Sequence, residues 1–534
     1  MVFPRKRRVL LAAVVIALLI VAAFLATTDR KKLRRSLLMV TSLKVNQVIE
    51  LMSDIGDVGV LADGSSDTYR LPEGIEVPAA TGQQPLEDRP LPPLPMPDHP
   101  FMLDEYASGG VHADSYNSSV SPLPGPRGIR PVASLVQVMD NEIGLCTPLM
   151  RDLEGRLASV CFSLQIVRQL VLFDPEQDFK ILAQTAIPER RGMLDPSGGW
   201  YSRMDHLGRP IVPTPAQDIR VYEVVKAEGR YQWNIAEHWD LSPYLPPDVS
   251  PSDVVPDWSG NYWFISGFAH VGYIDRGRMS VQVIELGDGD ETIGAALTVG
   301  PDGAYVLTSR ALYLMVADAD GRPTPRWRWD YGEAGGVDLS TPTLLDEGQL
   351  LAFSIDGVGE QSLLMVLDTA EEQMPDAERV VCRLPMFKPG KSAMKNTLVG
   401  YGRSIVAQNN WGGEFFELLD FEPGLARVDV RADGSGCDLI WEDYTLASQV
   451  PPRLSTADGH VYLYSRRRGT PEDVHAWYLS AVDFQTGAVT SELFVGSGKA
   501  IDSPMLSSDF WPGRIYVAGV RNGIVTLRDG AAAP

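Results

Sequence analysis

A chain of 534 residues, 44% of them hydrophobic, can bury a large core as several domains or as one long repeat array. Its formal charge is −22, but residues 1–35 carry nine Lys/Arg against one Asp, which leaves −30 for the rest. So acidic a body excludes nucleic acid as a partner, since that demands basic surface, and it opposes close docking on anionic lipid.

Residues 1–8 form a basic tail ending in PRKRR. Val9 to Ala26 is an uncharged apolar run of 18 residues, long enough to span a bilayer, and RKKLRR follows it at 30–35. We read 9–28 as an uncleaved anchor. A signal peptide cleaved after Val21-Ala22-Ala23 is the alternative. Both flanks are basic, so charge bias does not orient the segment. A short tail inside and a large body outside is the simpler topology. Between 29 and 100 the reading is a juxtamembrane helix over 33–54 and a proline-rich spacer over 71–100, expected to stand as a semi-rigid stalk that adds nothing to the core. Residues 101–130 are an irregular, glycine-rich lead-in.

From 131 to 534 short β-runs alternate with turn signals, and they recur. TPLMRDLEGRLASV (147–160), TPTLLDEGQLLAFS (341–354), PPRLSTADGHVYLYS (451–465) and SPMLSSDFWPGRIYVAG (503–519) share a proline, a hydrophobic pair, a Gly turn and an alternating strand. With weaker copies, the starts fall about 41–55 residues apart, the period of a four-stranded propeller blade. The predicted fold is therefore all-β, an eight-bladed β-propeller, or a seven-bladed one if a weak copy is misread. A second repeated half, as in LSAVDFQTGAVTSELF, places an Asp at the head of a turn, where it can accept backbone N–H groups two residues on. Trp327, Trp329 and Trp441 close two such halves, placed to pack between blades. The last copy ends one strand short, and VASLVQVMD (132–140) can supply that strand and close the ring.

Four cysteines are too few for a disulfide-built fold. Cys146 and Cys161 lie symmetrically about the turn Asp152–Gly155, so a hairpin places them opposite each other. A cross-strand disulfide or two buried thiols both fit. Cys382 and Cys437 fall on outer strands of successive repeats, and both are expected to be free.

The repeats resemble quinoprotein-like propellers, with AVDFQTGAV (481–489) close to the tryptophan-docking repeat of quinoprotein alcohol dehydrogenases. DGAYVLTSRALY, VVCRLPMFKPGKSAMKNTLVGYGRSIVAQNNWG and the terminal GIVTLRDG extend the resemblance to an uncharacterised family of exported bacterial PQQ-repeat-like propellers over residues 101–534. The resemblance implies an exported bacterial protein; with the anchor read at 9–28, the expectation is a single-pass protein of the bacterial inner membrane with its body on the periplasmic or extracellular side. It departs from the family pattern at Lys395-Asn396-Thr397, where an acid is expected, and this weakens any cation role there.

No Cys-Cys pair is present to support pyrroloquinoline quinone with calcium, so no cofactor is predicted. LGDGDET (286–292), with Asp288, Asp290 and Glu291, lacks the spacing of a calcium loop and reads as an acidic turn. The seven histidines form no metal signature, and no nucleophile elbow or phosphate loop is found. The residues that stand out are amides. Asn396, Asn409 and Asn410, with Trp411 and Asp356, fall at strand ends and loops that line a propeller's funnel. They are candidates to bind a ligand there, by amide hydrogen bonds and a stacking face, or else they brace long loops such as 411–424. The functional expectation is a binding or scaffold module that meets envelope proteins or a small ligand. The alternative is a funnel-site enzyme, either a quinoprotein-like oxidoreductase or a hydrolase or lyase.

Overall fold

The repeats fold as four-stranded antiparallel meanders, laid side by side in chain order. The computed structural model describes residues 60–63, 85–103, 112, 114–138, 144–162, 168–188, 201–331, 339–355, 361–370, 375–413, 421–467, 475–503 and 506–530. These fall in the second of two units, Leu51–Pro534. The expected anchor and juxtamembrane helix, and Asp356, lie outside them. Among the described residues no helix is long and apolar enough to cross a membrane.

Strand alternation explains the stacking. In Ala311–Ala317, the residues Ala311, Tyr313 and Met315 pack on the preceding meander, while Leu312 and Leu314 pack on the following one. A middle strand covered on both faces is apolar at every position, which is why these runs do not read as half-exposed strands. Trp327 and Trp329 fill one interface between meanders and Trp441 another. The indole N–H of Trp441 donates to the Phe484 carbonyl at 3.0 Å, and Gly487 sits where a Cβ would strike the Trp441 ring. This is the docking role that the AVDFQTGAV motif suggested. The Asp-headed turns form as well. The Asp318 carboxylate accepts N–H groups of Asp320 and Arg322, both at 2.9 Å.

The first and last meanders share one sheet. Gly144 and Leu145 of the first pair in parallel with Asn522 and Gly523 of the last. The missing fourth strand of the last meander is Val132–Val136, paired antiparallel with Asn522–Arg528. Trp511, Val517 and Ile524 pack against Leu149, Leu157 and Val171 across this junction. The chain is therefore a β-propeller closed by a strand from its N-terminal side.

Cys146 and Cys161 are directly opposed in register and joined by a disulfide, with Cα atoms 4.1 Å apart. The expectation for the other pair is corrected. Cys382 and Cys437 are also bonded, with Cα atoms 5.8 Å apart and a separation of 55 residues. Outer strands of a propeller generally diverge. Here Val380–Pro385 and Cys437–Asp443 each carry a bulge against their partner strand, which adds twist, and the two strands meet at this point. The pair staples two neighbouring meanders. The double variant Cys382→Ser/Cys437→Ser is expected to lose stability, with about 4 kcal/mol as the chain-entropy ceiling for a loop of that length. Thermal melting checks it, and an unchanged midpoint would count against the staple.

The proline-rich spacer is corrected too. Its described part, 85–103, does not stand off as a stalk but lies on the body. Arg89 and Leu91 donate backbone N–H groups to Asp458 and Thr456, both at 2.8 Å. Tyr401 donates its hydroxyl to the Pro92 carbonyl at 2.8 Å, and His206 donates to the Phe101 carbonyl at 3.1 Å. Leu86 and Met102 are buried in the core. The strap crosses the face where the first and second strands of the meanders turn. Residues 60–63 add a further clasp. Ala62 donates to Val495 at 3.0 Å and accepts from Ala133 at 2.8 Å, bridging the outer strands of the last two meanders.

Candidate functional site

The centre of the ring is where a propeller usually takes a ligand, and here the chain's own lead-in occupies it. Consecutive residues of 115–121 are passed from one inner strand to the next. Ser115 and Tyr116 accept N–H groups from Val299 and Leu344 at 3.0 and 3.1 Å. Ser118, Ser119 and Ser121 accept from Gly400, Leu454 and Thr456 at 2.8–3.1 Å. Small serines let the backbones approach, and Asn117 and Ser119 adopt left-handed φ values of 55° and 54°, which lets the segment wind around the axis.

A polar cluster locks this plug. Arg203 and Asp253 form an ion pair at 2.9 Å, with both side chains fully buried. The Arg203 guanidinium also donates to the carbonyl of His112 and to the Asn117 side-chain oxygen, the latter at 3.1 Å. Asn117 donates to Leu297 O at 3.1 Å and to Thr298 Oγ1 at 2.7 Å. The His112 ring lies 3.2 Å from both Asn117 Oδ1 and Thr397 Oγ1, and it meets Tyr201 edge-on at 5.0 Å. Burial, then the Arg203 charge, holds the His112 pKa well below the usual histidine range. Burial against Trp258 similarly brings His99, on the strap, down to about 4.

These two histidines give a pH prediction. Their folded pKa values lie below the unfolded value near 6.5, so the unfolded chain takes up protons first as pH falls. Stability is expected to be flat above about pH 6.5 and to decline from there toward pH 4. Denaturation at stepped pH checks this, and His99→Gln should make the decline shallower.

The amides singled out in the sequence are brought together, in hydrogen bonds to one another and to backbone. Asn396 Nδ2 donates to Gln408 Oε1 at 2.8 Å and to Gln449 O at 2.7 Å. Asn410 Oδ1 accepts the N–H groups of Lys395 and Asn396 at 3.1 and 3.3 Å. Asn409 donates to Lys391 O at 3.0 Å and accepts from Ala393 N and Trp411 N, both at 3.1 Å. All three amides are buried, whereas Trp411 is 39% exposed. In this geometry the amides knit the loop at 386–398 to the turn at 409–413. Asn410→Ala is expected to cost about 1–3 kcal/mol, because Lys395 N and Asn396 N lose their acceptor. Chemical denaturation reads it, and a variant as stable as the parent would show that the brace is dispensable.

The turn at 286–292 holds Glu291, which accepts from Thr308 Oγ1 at 2.5 Å and Tyr313 OH at 2.8 Å and so ties its loop to the next meander. Among the described residues no group of three or more His, Cys, Asp or Glu is placed to hold a metal ion. Sequence reasoning missed the plug. GGVHADSYNSS carries no periodic pattern, and its partners on the inner strands lie 86 or more residues away along the chain.

No family model matches the chain. No curated protein matches it in sequence. Among solved structures, BamB from Moraxella catarrhalis is 10% identical with a TM-score of 0.42, over 76% of this chain and 99% of that one. Chaetomium thermophilum Sqt1 is 11% identical with a TM-score of 0.46, over 73% and 96%. A streptogramin B lyase is 11% identical with a TM-score of 0.39, over 74% and 97%.

Proposed function

We propose that the protein is a membrane-anchored, extracytoplasmic β-propeller of eight blades that acts as a binding or scaffold module of the bacterial envelope. The blade count is supported by the meanders taken in order, the last completed by Val132–Val136, and by an apolar cluster at each interface between neighbours. The observation that carries the functional reading is the plug. Residues 114–121 occupy the ring's centre, with backbone carbonyls and the Asn117 side chain bonded to inner strands, so the surface offered to other molecules is the loops and rim. The strap covers part of one face, and the face opposite it carries the long loops of the sixth blade. Anchoring through 9–28 would hold this body near the membrane on the exported side.

The test is site-specific photo-cross-linking of the full chain in its own membranes. Photoreactive residues replace the exposed Leu153 and Leu207 on one face and Trp411 on the other. Discrete protein adducts from one face are the expected result. No adduct from any position, together with a small molecule retained one-to-one by the natively purified chain, would overturn the reading in favour of a ligand-binding or catalytic centre.

A further inference from the structure

Residues 379–413 contain six basic side chains and no Asp or Glu, in a chain whose formal charge is −22. Three of these, Lys388, Lys391 and Lys395, come from the loop that leads into the inner strand of the sixth blade. Asn409 ties that loop to Trp411. We infer that the surface built by Lys388, Lys391, Trp411 and Tyr444 is a docking site for an acidic segment of a partner protein. This rests on the binding-module reading above and specifies the partner.

The site is built rather than incidental. Lys388-Pro389-Gly390-Lys391 forms a tight turn, with Lys391 N donating to Lys388 O at 3.0 Å and Gly390 at φ 72°. Proline then glycine at the two central positions is the pairing that a type II turn demands. Both lysines are exposed at its ends. The turn is held from below by Phe387, a buried bulky residue at φ 59°, a conformation that costs energy and persists only where the surroundings enforce it. Gln361 Nε2 donates to its carbonyl at 2.8 Å, and its ring meets Tyr444 edge-on at 6.5 Å. Lys388 Nζ lies 4.7 Å from the centre of the Tyr444 ring, and Lys391 Nζ lies 5.6 Å from that of Trp411. Each ammonium thus rests over an aromatic face. The Trp411 ring remains exposed, the type of side chain that most often anchors a protein interface.

The charges specify the partner. Lys391 already holds a carboxylate, that of Glu422 on the neighbouring loop. Lys388 has no ion-pair partner among the described residues and offers the open position. A carboxylate-bearing strand laid along the turn would reach Lys388 and cover Trp411 with an apolar or aromatic side chain. The Debye length is about 8 Å at physiological salt, so the contact is set locally, by Lys388 and Lys391 against the carboxylates of Glu422 and of Glu442, which the Tyr444 hydroxyl holds at 3.0 Å. The location fits as well. The strand Ser404–Gln408 has the strap at its Tyr401 end and Trp411 just past its other end, so the site faces away from the strap.

The full chain, in detergent micelles, is titrated against a fluorescein-labelled twelve-residue peptide of alternating Glu and Ala with one central Phe. The same peptide with Gln, and with Lys, in place of Glu serves as control. The Glu peptide is expected to bind more tightly than the Gln peptide, and the Lys peptide not to bind. Lys388→Glu/Lys391→Glu and Trp411→Ala should each weaken binding at least about tenfold, about 1.4 kcal/mol, with melting midpoints unchanged. The charge-reversed variant should gain affinity for the Lys peptide. Equal binding by parent and charge-reversed chain, equal binding of Glu and Gln peptides, or binding only to vesicles containing anionic lipid would each overturn the proposal. If peptide binding fails while cross-linked protein adducts persist, the surface is wrongly assigned and the binding-module reading stands.

Discussion

Asp253→Ala is expected to destabilise the protein by about 3–5 kcal/mol, a larger loss than that of Asn410→Ala. The pair it breaks is fully buried on both sides, at 2.9 Å. Without the carboxylate, Arg203 keeps only neutral acceptors, the carbonyls of His112, Asp114 and Leu297 and the Asn117 amide oxygen. None offsets the cost of holding a guanidinium away from water. Leu297 N, which donates to Asp253 Oδ2 at 2.8 Å, loses its acceptor as well. Native stability is about 5–15 kcal/mol in total, so this loss is a large share of it. Denaturant titration measures the change. The comparison that isolates the charge is the double variant Arg203→Met/Asp253→Leu. It removes both charges, should recover much of the loss, and does so only if the unpaired arginine is the cause. A single variant within about 1 kcal/mol of the parent would mean that water reaches Arg203 through the plug.

What the sequence revealed and what it hid divide along a physical line. Repeats with a fixed period show because every blade solves the same packing problem with the same pattern. The closing strand Val132–Val136 and the facing pair Cys146 and Cys161 followed from counting strands and from turn symmetry. The segments that fill the ring's centre and cross one face lack any such regularity. The strap 85–103 has no periodic pattern and attaches residue by residue to turns hundreds of positions away, as Arg89 does to Asp483 at 2.7 Å. Its prolines suggested a free stalk, since composition reports stiffness and not where a stiff segment lies. The plug was hidden for the same reason. Cys382 and Cys437 were misjudged because two bulged strands bring neighbouring outer edges together, and a bulge leaves no mark in the alternation. For the amides, the sequence located the right loops but not the outcome. Whether an asparagine turns toward solvent or toward a neighbouring carbonyl depends on loop closure, which is tertiary.

A ladder of N-terminal truncations should separate strap from plug, and it carries the second large effect. A chain of residues 104–534 lacks the clasp at 60–63 and the strap. It uncovers the sites of Leu86 and Met102, each about 1.5–3 kcal/mol of apolar burial, and forfeits the strap's hydrogen bonds to Thr456 and Asp458. It is expected to fold but to melt well below the full chain. A chain of residues 131–534 loses the plug as well. The inner-strand N–H groups of Val299, Leu344, Gly400, Leu454 and Thr456 then have no carbonyl, and the Arg203–Asp253 pair opens into an empty channel. Water admitted to that channel will satisfy some of these groups, so each is worth nearer about 1 kcal/mol than 3. Five of them, with the burial of Tyr116 and Val120, still approach the whole stability of a typical domain. This shorter chain is therefore expected to show β-rich circular dichroism without a cooperative melt, or no soluble product. The order is the test. If 131–534 melts as sharply as 104–534, the plug is a passive filler and the ring's centre is open to a ligand. If 104–534 melts with the full chain, the strap adds nothing to the core, and that stretch works as a tether that merely rests on the body.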